Sequence, residues 1–122
     1  KVVLTFWGSI LIRIFNGANV TIGTLSFDRK DNVFFFDYHA DFKGFPYGDV
    51  DCREAREFKS DSMFSIFGFE DCWNRQKIAE KYNLKDADDN ESQWFILKLF
   101  AQTKQCLRGM QYEILEGSVC KT

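Results

Sequence analysis

Three runs of alternating side chains, separated by polar turns, occupy the stretch from Ile10 to Tyr38. In the first, Ile10, Ile12 and Ile14 point one way and Leu11, Arg13 and Phe15 the other. A period of two places successive side chains on opposite faces, which a strand satisfies and a helix does not. Asn16-Gly17-Ala18-Asn19 supplies turn residues, and Val20 to Phe27 resumes a β-branched, alternating pattern. Together they predict a hairpin. After the polar turn 28–32, Phe34, Phe36 and Tyr38 oppose Val33, Phe35 and Asp37. Aromatic side chains on both faces suit a strand covered on two sides.

The rest of the chain continues the β theme with one interruption. Ala40 to Asp51, with its only proline and two glycines, reads as a loop. A short helical turn is expected after Asp51, with Glu54 at the capping-box position. Ser62 to Phe69 alternates again. Asp71 is a good N-cap, and Cys72, Ile78, Ala79 and Tyr82 share a helical stripe that Asn83 can end. Asp86 to Ser92 is acidic and turn-rich. Gln93 to Gln102 and Met110 to Ile114 are expected as strands. No βαβ rhythm is present, so the expected fold is mainly β: an antiparallel sandwich or jelly-roll-like body with one short helix, and α+β as the alternative.

With 122 residues, the whole span 1–122 is expected to form a single domain. At this size roughly two-thirds of the unfolded surface is buried on folding, enough for a true core. Fourteen phenylalanines supply much of it. The formal charge of −2 argues against electrostatic capture of nucleic acid. No apolar run reaches eighteen residues, so no membrane insertion is expected. Lys1 and the apolar Val2 to Ile12 resemble the start of a signal peptide, but Arg13 interrupts the stretch. The segment is read as a strand, with any leader already removed.

Cysteines and sequons point to a compartment. Cys52, Cys72, Cys106 and Cys120 form an even set in a small domain, as paired disulfides in an oxidising environment require. Three pairings are open. Neighbour pairing would close two short loops worth about 3 kcal/mol each, whereas crossed pairing would tie the expected helix to the C-terminal tail. All four cysteines follow Asp51, so the N-terminal hairpin is left to packing alone. Asn19-Val20-Thr21 and Asn90-Glu91-Ser92 are N-glycosylation triplets, both on expected polar turns. Secretion to the extracellular space follows as the expectation, with a glycoprotein in prospect.

Chemistry is sparse. His39 is the only histidine, which excludes multi-histidine metal sites and two-histidine catalysis. Asp86, Asp88, Asp89 and Glu91 fail the EF-hand spacing, because Glu91 falls where glycine is required. Four widely spaced cysteines do not make a zinc site. There is no phosphate loop or nucleophile elbow, so neither a cofactor nor a catalytic residue is assigned and no enzyme is expected. The aromatic loop Phe42-Lys43-Gly44-Phe45-Pro46-Tyr47-Gly48 is the main candidate for binding.

Three functions remain in view. The first is a small secreted protein that binds a host or extracellular protein, as effectors of virulence, toxins and inhibitors do. The second is a carbohydrate- or lipid-binding β domain that uses Tyr38, Phe45 and Tyr47. The third is a small hydrolase in which His39 works with Asp37, Asp41 or Glu54.

Overall fold

The computed structural model describes residues 10–46, 48–68, 77, 80–83 and 89–115. Strands β1 (Leu11–Asn16), β2 (Thr21–Asp28) and β3 (Val33–Tyr38) form a meander, as the alternation predicts. β4 (Glu57–Ser60) follows a long loop, helix α1 spans Asn90–Thr103, and β5 (Cys106–Leu107) and β6 (Met110–Leu115) close the chain. All six strands join one antiparallel sheet in the order β4-β3-β2-β1-β6-β5. The fold is therefore mainly β with one short complete helix. Among the described residues, the layer opposite the sheet is made of α1 and aromatic loops instead of a second sheet.

Register decides which side chains are buried. Ile12 pairs with Leu25 and Ile114, and Ile14 with Gly23 and Tyr112, while Phe27 faces Phe34. These residues share one face and carry the core. Gly23 sits where Asp37 O lies 2.4 Å from the position a Cβ would take, beside the irregularity between Ile14 and Phe15. A side chain there would collide with backbone, so glycine lets β3 approach β2 at the bulge.

Helix α1 lies where a strand is expected over 93–102. The run Trp94 to Phe100 is so densely apolar that its period is ambiguous. Its start is set by Asp89, whose side chain accepts the Ser92 N–H at 2.8 Å. Gln93, Ile96, Leu97 and Phe100 then repeat at i, i+3, i+4 and i+7, which buries one stripe. Lys104 turns left-handed (φ 57°) and ends the helix with its N–H on Phe100 O. Trp94 reaches the sheet, its ring 6.0 Å from Phe27 and 6.3 Å from Phe34, which stack on one another at 4.5 Å.

Other expectations fare unevenly. Of the alternating run 62–69, the described part (62–68) forms a 3-10 turn at Ser65–Phe67 in place of a strand, because Phe64 and Phe67 both turn inward onto Phe36. A turn does follow Asp51, with Glu54 N–H on Asp51 O. Lys77, Glu80 and Lys81 are helical and Asn83 is left-handed (φ 55°), in keeping with the expected helix end. The remainder of that helix, residues 1–9 of the N-terminal segment and the acidic residues 86–88 lie outside the described residues.

Candidate functional site

Tyr38 ends β3 and organises the aromatic loop beneath it. Its hydroxyl donates to Val50 O and accepts the Phe45 N–H at 2.9 Å, so one buried oxygen closes the loop at two points. Phe42 stacks at 6.2 Å, Phe58 meets the ring edge-on at 6.1 Å, and the Arg56 guanidinium lies 4.8 Å above it. Arg56 also donates to the carbonyls of His39, Phe42 and Lys43. Tyr38 is buried and acts here as an anchor. Phe45 is half-buried and reaches a surface cavity, while Tyr47 lies outside the described residues.

His39 is exposed, and its Nδ1 accepts the Asp41 N–H at 3.3 Å. Among the described residues no carboxylate hydrogen-bonds its ring, so Asp37, Asp41 and Glu54 do not converge on it. Asp37 faces Glu57 across the β3–β4 pair. Partial burial, and then the Glu57 charge, raise the Asp37 carboxyl above its ordinary value. Asp51 is held low by hydrogen bonds from the Arg53 side chain and backbone. Asp49 accepts from Ser65 N and Oγ. No cluster of three or more His, Cys, Asp or Glu that could hold a metal is present among the described residues.

The cysteines and sequons occupy distinct settings. Cys52 is a half-buried free thiol beneath Gly44, and Cys106 is an exposed free thiol on β5. Cys72 and Cys120 lie outside the described residues. Asn19 sits at the β1–β2 tip with φ 63°, and its Oδ1 accepts from Arg13 Nη2 at 2.9 Å. Its amide nitrogen makes no hydrogen bond among the described residues. The Asn90 amide nitrogen, in contrast, donates to Asn32 Oδ1, Asn32 O and Asp61 O. Ser92 of the same triplet is buried in the first helical turn. The second sequon is thus built into the fold and is not on a turn as expected.

Sequence reading missed an open sheet edge. Leu107 and Met110 pair across the two-residue turn Arg108-Gly109, and both turn residues have positive φ (55° and 78°). That is the twist of a type I′ hairpin, in which the flanking pair exchanges backbone hydrogen bonds. Alternation along β6 then sends the N–H and C=O of Gln111, Glu113 and Leu115 toward β1, and those of Tyr112 and Ile114 the other way. β5 ends at Cys106, opposite Gln111. Gln105, the residue next to it, directs its N–H back to Phe100 O. The Tyr112 carbonyl and both backbone groups of Ile114 therefore have no strand partner among the described residues.

A groove of about 340 Å³ follows this edge, bounded by Ala101, Gln102 and Lys104 of the helix end and by Phe15, Glu113 and Ile114. No protein-family profile and no curated protein matches the chain. The edge and its groove consequently have to be interpreted from their own chemistry. Unpaired ladder groups are hydrogen-bonding valences that an extended chain satisfies in series. The half-buried Phe15 and Ile114 offer apolar contact for its alternate side chains, and the exposed Lys104 sets a positive charge at the rim.

Proposed function

We propose that the chain is a small secreted binding protein that engages a host or extracellular protein, as an effector, toxin or inhibitor does, by taking an extended segment of its partner onto the open β6 edge. The single observation carrying this reading is the run formed by the Tyr112 carbonyl and the N–H and carbonyl of Ile114, which lack a strand partner among the described residues beside a groove sized for side chains. Strand addition draws its affinity from such main-chain bonds and its selectivity from pockets for alternate residues. The opposite edge is a weaker candidate. β4 is four residues long and carries Glu57 and Lys59, charges of the kind that discourage edge pairing. Export rests on the four cysteines and on the outward amide of Asn19. In this reading Cys72 and Cys120 complete the disulfides with Cys52 and Cys106 once the chain is oxidised.

A photo-cross-linking residue placed at Lys104, with a second version at Lys59 for comparison, tests the proposal in extracellular fluid or host extract. A protein captured from position 104, joined through an extended segment, supports strand addition at β6. Capture from position 59 alone, or retention of small molecules only, contradicts it.

A further inference from the structure

The β5–β6 turn carries a second feature, unrelated to the open edge. Arg108 occupies a left-handed position, where a non-glycine residue other than Asn or Asp costs roughly 1–2 kcal/mol. Its side chain is nonetheless held in place: Nη1 donates to Gly68 O at 2.9 Å and to Ile66 O at 3.2 Å. Two carbonyl oxygens fix the guanidinium without neutralising it. Nε and Nη2 have no hydrogen-bond partner, and no carboxylate forms an ion pair with Arg108, among the described residues. A positioned cation with no counter-charge among the described residues is the result, and guanidinium geometry suits bidentate capture of a carboxylate.

That cation stands at the wall of a cavity of about 530 Å³. The apolar lining comes from Ile22, Phe42, Phe45, Ile66 and Met110, drawn from four separate segments of the chain. Small-molecule sites span roughly 300–1,000 Å³ and combine such walls with a few placed polar groups. Asn16 also lines the cavity, and its Oδ1 is occupied by the Ala18 and Val20 N–H groups, which leaves its amide nitrogen as a second donor. Ser65, the remaining polar wall, is bound to Asp49, whose carboxylate is not part of the lining. The side-chain donors left available in the cavity are therefore Arg108 and the Asn16 amide, while Ser65 Oγ, its proton given to Asp49, offers only an acceptor oxygen.

We propose that this cavity binds a small organic carboxylate with a compact apolar body, its ring or chain packed on Phe42, Phe45 and Met110 and its carboxylate received by Arg108. The site is independent of strand addition at β6 and stands or falls without it.

A matched pair of probes tests the inference: 4-phenylbutyrate and its neutral amide, 4-phenylbutyramide, titrated into the full chain and followed by amide chemical shifts. The carboxylate is expected to bind at least tenfold tighter than the amide, with shifts centred on Phe42, Ile66 and Met110. Arg108→Asn keeps the hairpin, because Asn-Gly is the favoured pair for this turn. It should bring the carboxylate down to the affinity of the amide and leave the amide unchanged. Ile66→Trp, which fills the cavity and spares Arg108, should abolish binding of both. Equal affinities in the unaltered protein, shifts elsewhere, or a charge preference that survives Arg108→Asn each overturn the proposal, as does failure of both probes to bind.

Discussion

Removing one oxygen from Tyr38 tests whether this ring is an anchor for the aromatic loop or a platform for ligands. In Tyr38→Phe the ring still packs against Phe42, Phe45 and Phe58, so little volume is lost. What disappears is the hydroxyl shared by Val50 O and the Phe45 N–H. Val50 is only 1% exposed, so its carbonyl is left without access to water, at a cost of about 1–3 kcal/mol. The Phe45 amide is part-buried and can recover some solvation, so about 2 kcal/mol is expected in all. Unfolding entropy of about 2.1 cal/mol/K per residue over 122 residues gives about 0.26 kcal/mol/K, so Tm should fall by about 8 °C. Tyr112→Phe is the internal control. Its hydroxyl is buried with no partner among the described residues, and burial, opposed by the Arg108 charge and aided by Cys106, pushes it well above the ordinary tyrosine value. Deleting an unpaired buried hydroxyl removes a desolvation cost, so Tm should stay level or rise. Thermal unfolding by circular dichroism, with Phe45 amide exchange as the local readout, decides. A Tyr38→Phe protein at least as stable as Tyr112→Phe would refute the anchoring role.

Further outcomes follow from the same structure. Trp94→Ala removes the ring that joins α1 to Phe27 and Phe34 and should cost about 3–5 kcal/mol, measured by urea unfolding. Asp37 has a folded-state pKa raised by burial and Glu57, so its contribution to stability is full below the ordinary carboxylate range and is lost as pH rises through the folded value. Asp37→Asn should therefore exceed the unaltered protein in stability at pH 7, with the gap closing toward pH 3, in a series of urea midpoints. Expressed through a eukaryotic secretory route, the chain should carry a glycan on Asn19 and none on Asn90, because the Asn90 amide is committed to Asn32 and Asp61. Peptide mapping under non-reducing conditions reads both sequons and the state of Cys52 and Cys106 together.

The sequence made the first three strands legible because their side chains alternate cleanly and Asn16-Gly17-Ala18-Asn19 marks the first turn. Helix α1 was not, since Trp94 to Phe100 is apolar at nearly every position and satisfies either period. The decisive signals lay outside the run, in the Asp89 cap and in the placement of Gln93 on the buried stripe. β4 escaped because a short edge strand with Glu57 and Lys59 has no buried alternation to display. Tyr38 and Phe45 stand out in the sequence as binding candidates, but whether a ring caps a core or faces a ligand depends on tertiary closure. Arg108-Gly109 leaves a readable trace, a glycine after an arginine between the apolar Leu107 and Met110. That Arg108 is held by carbonyls and by no carboxylate among the described residues is visible only once Ile66 and Gly68 are seen to hold it.

Strand addition at β6 is tested most directly by residue-resolved amide exchange, with and without the partner captured from position 104. The Ile114 amide should exchange freely in the isolated chain and become protected in the complex, while Arg13 and Leu25, already within the ladder, change little. An Ile114 amide that stays as exposed in the complex as in the free chain would contradict the account.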